Sequence, residues 1–98
     1  MSRVLFTVSA EADLLEAWLF ISEESIIAAD SVVDTIHREA QTLALQPLMG
    51  RARTELADRV RSWPTSTRYI LFYVPSEEGV TVLRVLHHAR DIPNVAMN

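Results

Sequence analysis

The spacing of apolar residues changes early in the chain, and the change separates a strand from a helix. Residues 3–8, RVLFTV, alternate around Val4, Phe6 and Val8, which predicts a short β-strand. Ser9 then offers an N-cap, with acidic residues in the turn that follows it. The next apolar residues recur at helical spacing and predict an amphipathic helix of about three turns; they are Leu14, Trp18 and Ile21.

A second helix has the most regular pattern in the chain. Its apolar residues step by three and four, as in a helix that packs nearly antiparallel on a neighbour. They are Ile26, Ala29, Val33, Ile36, Ala40 and Leu43. The polar segment 22–25 predicts a tight connection to the first helix, and Pro47 ends the second.

The second half of the chain predicts strands. Residues 47–56 form a loop in which Gly50 supplies a turn. Three strands are predicted after it, at 58–63, 68–74 and 80–87, the last two joined by a hairpin loop. The whole chain, 1–98, therefore predicts one α+β domain. It has the order β-αα-βββ, with a two-helix hairpin packed on a small, mostly antiparallel β-sheet.

Alternation along the strands predicts which face of the sheet meets the helices. Ile70, Phe72 and Val74 are purely apolar, so we expect them to pack on the helices. The opposite face would then be open and unusually apolar, which is typical of a partner-binding surface unless residues 90–98 cover it. The residues predicted on it are Leu5, Arg61, Tyr69, Leu71, Tyr73, Val82, Arg84 and Leu86.

Composition narrows the class of protein. The net charge of −4 argues against a direct, sequence-specific nucleic-acid binder, although all nine cations are arginines. The chain has no cysteine, which excludes disulfides and thiolate metal sites and fits a reducing compartment. Its first residues make a poor signal peptide and no apolar run is long enough to span a membrane, so we expect a cytoplasmic protein without a membrane partner.

The stretch RVLHHARD, residues 84–91, concentrates the groups that could do chemistry. In a strand, His87 and His88 project to opposite sides, and no further ligand lies at a metal-binding spacing, so we predict neither a metal nor a cofactor. A general acid–base role for His87 stays open. A structural or partner-contact role is the favoured interpretation.

Several segments together resemble bacterial ParE toxins of the RelE/ParE type II toxin–antitoxin superfamily. Their order and spacing match over nearly the whole chain, and no single one of them is diagnostic. They are DLLEAWLFI (13–21), AADSVVDTI (28–36), PLMGRARTEL (47–56), VRSWP (60–64), RYILFYV (68–74) and VLRVLHHARD (82–91).

The resemblance implies two helices on a small antiparallel sheet and a small antitoxin, ParD-like or similar, draped over the toxin. It also implies DNA gyrase as the target, inhibited without catalysis. On the predicted fold, the residues expected to contact the target are Arg61, Arg84, His87 and Arg90. Those expected to bind the antitoxin are Leu5, Tyr69, Leu71, Tyr73, Val82 and Leu86.

Two alternatives remain. RelE-like members of the superfamily cut mRNA on the ribosome with basic residues, often lysines. This chain has no lysine and only His87 or His88 could transfer a proton near neutral pH, which favours the ParE side. The second alternative is an interaction module that binds a peptide and has lost its toxicity.

Overall fold

Two helices and five strands follow one another in the computed structural model, which describes residues 2–89 and Met97. The predicted α+β class is confirmed. Neither of the helices within these residues is long and apolar enough to cross a membrane. The elements are β1 Arg3–Phe6, α1 Val8–Ser22, α2 Ile26–Leu45, β2 Arg51–Ala52, β3 Arg61–Pro64, β4 Tyr69–Ser76 and β5 Gly79–His87.

The strands form one mixed sheet in the order β1-β5-β4-β3-β2. β1 runs parallel to β5, and the other neighbours are antiparallel. The helical hairpin carries the chain from β1 across the sheet, which is why the first and last strands can be parallel neighbours. β2 lies within the segment that the sequence predicted as a loop, and it adds a two-residue edge to β3.

The first helix begins earlier than its sequence pattern indicates. Thr7, rather than Ser9, caps it, since the Thr7 hydroxyl accepts a hydrogen bond from the Ala10 N–H at 3.1 Å. The same hydroxyl donates to the Leu83 carbonyl at 2.8 Å. One side chain therefore ends β1, starts α1 and anchors both to β5, a contact that local sequence does not reveal.

The apolar stripe of α2 is buried as predicted over most of its length. Ala29, Ile36, Ala40 and Leu43 are fully buried, whereas Ile26 in the first turn is exposed. On α1, Leu14 packs in the same core. The helical hairpin therefore lies on one face of the sheet, α2 through the stripe that the sequence indicated and α1 through Ala10, Leu14 and Ala17.

The central strand faces the helices with the opposite residues from those predicted. Leu71 and Tyr73 pack in a cluster with Leu14 and Ile36, while Phe72 lies on the other side of the sheet. The prediction was wrong because both alternating sets in β4 are apolar, so alternation alone leaves the choice of face open.

A β-bulge accounts for a second error. The register of β4 against β5 shifts between Phe72 and Tyr73, leaving Leu83 as an extra residue on β5. Simple alternation therefore fails along β5, because residues three apart now share a face. The residues that share the helix side in this way are Val82 and Val85.

The face of the sheet turned away from the helices is covered. Leu86 lies on it, as predicted, but is buried with Val60 and Phe72. Leu56, from the segment between β2 and β3, and Met97 pack against these three side chains. The expectation that this face leaves Leu86 exposed was wrong, because Leu56, Val60 and Met97 pack over it.

Arg84 is held inside the molecule by a carboxylate of α1. Its guanidinium donates to both oxygens of Asp13, from Nε at 2.7 Å and from Nη2 at 2.9 Å. The Val85 N–H donates to the same carboxylate at 3.0 Å. The hydrogen bonds that it donates to Asp13 raise the pKa of Arg84 above its ordinary value. The ion pair ties the bulged strand to α1, so the placement of Arg84 on an open face was also wrong.

Glu39 connects α2 to the turn between β3 and β4. One carboxylate oxygen accepts the Trp63 indole N–H at 3.0 Å, and the other accepts the Ser66 N–H and hydroxyl at 2.9 Å and 2.6 Å. Burial raises the pKa of Glu39, but the hydrogen bonds from Ser66 and Trp63 outweigh it and lower the pKa below 4.5 overall.

The buried stripe predicts a large cost for shortening its central residue. Ile36→Ala should lower the free energy of unfolding by about 2–5 kcal/mol, because the side chain is fully buried and a cavity remains. Ile27→Ala, in the same helix but 84% exposed, should change it by less than about 0.5 kcal/mol. Urea unfolding measures both, and equal effects would contradict the assigned core.

The ion pair predicts that Arg84 acts on stability. Arg84→Ala leaves the partly buried Asp13 carboxylate without its cation and should cost about 1–3 kcal/mol of unfolding free energy. Adding Asp13→Ala should recover part of that loss, which a double-mutant cycle would measure as coupling between the two residues. A fully stable Arg84→Ala variant would contradict this role.

The lowered pKa of Glu39 predicts a defined pH dependence. The stability that the folded state gains from the ionised carboxylate is complete above about pH 4.5 and is lost as the pH falls through the lower folded-state pKa. Glu39→Gln should therefore flatten the stability curve below about pH 4.5. Trp63→Phe, which removes one donor, should flatten it in part. Unaltered curves in both variants would refute the connection.

Candidate functional site

The loop that leaves α2 is fastened to the sheet by a tyrosine and an arginine. The Tyr73 hydroxyl donates to the Pro47 carbonyl at 2.8 Å and accepts the Gly50 N–H at 2.9 Å. Arg61, paired with Tyr73 across β3 and β4, donates to the carbonyls of Gly50 at 2.6 Å and Leu48 at 3.3 Å. We call Pro47, Gly50, Arg61 and Tyr73 the loop clasp.

The loop clasp depends on a glycine and on a neutral phenol. A Cβ atom at Gly50 would overlap the Tyr73 hydroxyl, so no other residue fits without moving the loop. Burial raises the pKa of Tyr73 above 10.0, which keeps the hydroxyl protonated and able to donate. The clasp therefore holds the loop in one conformation from the inside.

The same loop turns apolar side chains toward solvent. Leu48 is 70% exposed and Met49 36%, and Leu45 at the end of α2 is also exposed. Arg51 follows them at the start of β2 and is exposed as well. We call Leu48, Met49 and Arg51 the loop tip. It combines two apolar side chains with a cation on a backbone that internal hydrogen bonds restrain.

A second group of polar residues lies at the end of β5. The His87 ring stacks on His88, with centroids 4.7 Å apart, and meets the Tyr69 ring edge to face at 5.3 Å. The Ala89 N–H donates to His87 Nδ1 at 3.1 Å. A neutral His87 would therefore carry its proton on Nε2.

Two cavities adjoin this end of the sheet. One, of about 310 Å³, lies toward Asp13 and Glu16, and the other, of about 530 Å³, lies toward Arg68 and the hydroxyls of the β3–β4 turn. Phe20, Tyr69 and His87 line both cavities. Within residues 2–89 and Met97, no three His, Asp or Glu side chains gather as a metal site would require. The cavities thus offer binding space beside one histidine.

The residues predicted to contact a target are not brought together. Arg61 belongs to the loop clasp, Arg84 pairs with Asp13, and His87 lies at the end of β5 opposite Tyr69. Arg90 lies outside the described residues. Two of the predicted contact arginines therefore stabilise the fold with their guanidinium groups.

The residues predicted to bind an antitoxin are mostly inside the protein. Leu71, Tyr73, Val82 and Leu86 are buried. Their prediction as surface contacts rested on the wrong face assignment. Leu5 is 50% exposed, as predicted. Tyr69 is half-buried beside the cavities and keeps an accessible part.

Several exposed apolar residues outside the sheet were not predicted as candidate contacts. Besides the loop tip, these include Leu15, Leu19, Phe20 and Ile27 on the helical hairpin. Their signal was present in the sequence, because each is a large apolar residue that lies off the buried stripe of its helix.

Comparison with known proteins agrees with this architecture. Curated protein sequences give no match to the chain. A solved structure of a chromosomal ParDE TA system from P. aeruginosa superimposes with a TM-score of 0.73 at 18% identity, covering 89% of this chain and 96% of the other. The family model described as the ParE toxin of the type II toxin–antitoxin system parDE matches residues 4–92. The chain belongs to the ParE toxin family of type II toxin–antitoxin systems.

Proposed function

We propose that this ParE toxin inhibits DNA gyrase without catalysing a reaction, and that a small cognate antitoxin neutralises it. The observation that carries the proposal is the family match over residues 4–92. As an inhibitor of gyrase it would act in the cytoplasm. The arrangement of the arginines adds support, since Arg61 and Arg84 hydrogen-bond to the protein itself and are poor proton donors in any case.

The antitoxin is proposed to bind exposed apolar surface, since the sheet faces are buried. Leu5 at the edge strand and the accessible part of Tyr69 are the predicted contacts that remain on the surface. A partner that covers them would remove apolar area from water, which is the main driving force for such complexes. His87 remains a proposed target contact beside Tyr69, and Arg90 remains one on sequence grounds alone.

The proposal predicts inhibition of supercoiling without RNA cleavage. An antitoxin-free preparation should inhibit gyrase supercoiling, and adding the antitoxin should restore it. Ribosome-bound mRNA should stay intact. His87→Gln should weaken inhibition by less than about fivefold, about 1 kcal/mol, because the ring would contribute one contact and no proton transfer.

Two outcomes would move the protein to another class. Codon-specific mRNA cuts that disappear in His87→Gln, with supercoiling unaffected, would assign it to the RelE-like ribosome-dependent endonucleases. Tight antitoxin binding with no effect on gyrase or mRNA would instead indicate a peptide-binding module without toxicity.

A further inference from the structure

We propose that the toxin binds its target through the loop tip, Leu48, Met49 and Arg51. The tip fits an apolar cleft bordered by carboxylates on that target protein. The inference deepens the proposed function and rests on it for the identity of the target. It differs from the sequence prediction, which assigned target contact to arginines that the fold uses internally.

Internal hydrogen bonds hold the loop in one conformation before it binds a partner. The loop clasp bonds the backbone at Pro47, Leu48 and Gly50 through two side chains of the sheet. A flexible loop loses conformational entropy on binding, whereas a loop already held in shape avoids most of that cost. The clasp thus prepares the tip for binding a partner.

The loop has polar contacts on its inner side and apolar side chains on its outer side. The side chains of Tyr73 and Arg61 donate hydrogen bonds to the backbone carbonyls of the loop, while Leu48 and Met49 are exposed to solvent. Local folding favours the reverse, with apolar side chains inside and polar groups in water. Leucine and methionine on an ordered protrusion are suited to fill an apolar cleft, and methionine adapts to its shape.

The segment that begins at the loop tip is richer in positive charge than the helices are. Residues 51–61 carry four arginines and two acids, whereas residues 8–45 carry one arginine and eight acids. Arg59 donates to the Pro75 carbonyl and Arg53 pairs with Glu55, so both of these side chains have partners within the protein. Arg51 is exposed next to the apolar tip. A cleft with carboxylates at its rim complements that combination.

A protein suits the tip better than a nucleic acid does. Two of its three side chains are apolar, and the protein as a whole carries a net charge of −4, which repels a phosphate backbone. Aromatic side chains, on which bases would stack, do not occur in the tip.

The experiment compares surface variants in two assays, growth arrest without antitoxin and inhibition of gyrase supercoiling by purified protein. Leu48→Ser with Met49→Ser, and separately Arg51→Glu, should each abolish growth arrest and raise the inhibitory concentration at least about tenfold. The matched controls are Ile27→Ser and Arg38→Glu, exposed on α2, which should behave as wild type. Thermal unfolding checks that every variant is folded.

A further variant tests whether Tyr73 positions the tip. Tyr73→Phe removes the hydroxyl and keeps the buried ring, so it should weaken inhibition several-fold. In the background of Leu48→Ser with Met49→Ser, the same change should have no further effect, since the group that Tyr73 positions is already lost. A merely structural role would give the same loss in both backgrounds.

The outcomes separate this inference from the proposed function. If the wild type arrests growth without inhibiting gyrase, gyrase is refuted as the target. The comparison of growth arrest between the wild type and the tip variants would still test whether the tip binds the target. Folded tip variants that remain as toxic as wild type would overturn the inference. Variants that lose only antitoxin binding would also overturn it, as would binding of the wild type to duplex DNA that Arg51→Glu abolishes. A wild-type chain that neither arrests growth nor inhibits gyrase would overturn it as well.

Discussion

The pairing of β4 with β5 is the constraint on which the rest of the structure depends. These strands form the centre of the sheet and are buried on both sides, by the helical hairpin on one and by Leu56, Val60 and Met97 on the other. Their one irregularity, the bulge at Leu83, changes which residues of β5 meet which layer. Without it, Val82 and Val85 would project to opposite faces, and the core under the helices would lose one of them.

Two arginines of this small protein stabilise the fold through hydrogen bonds to groups within the chain. Arg84 and Arg61 reach polar groups that the fold must satisfy, the Asp13 carboxylate in one case and loop carbonyls in the other. The planar guanidinium can donate several hydrogen bonds at once, which suits both tasks. A sequence rich in arginine therefore does not indicate how many of its cations are available to a partner.

The proposed contact surface, the loop tip, and the histidine pair at the end of β5 belong to different parts of the fold. His87 and His88 lie at one end of the sheet, where His87 lines two cavities, and the loop tip follows the end of α2. The proposed inhibition of gyrase would rely on binding and not on catalysis. An ordered loop with exposed Leu48 and Met49 is consistent with a protein that acts by occupying a surface of its target.

The sequence by itself determined the two helices, four of the five strands of the described residues, their order and the buried stripe of α2, because these follow from local periodicity, as Ile36 and Leu43 illustrate. It also carried the resemblance that led to the family. The tertiary structure alone decided which face of β4 met the helices, since both faces are apolar and alternation is symmetric. It also decided the partners of Tyr73 and Arg84, because those contacts join residues 26 and 71 positions apart, which no local pattern can indicate.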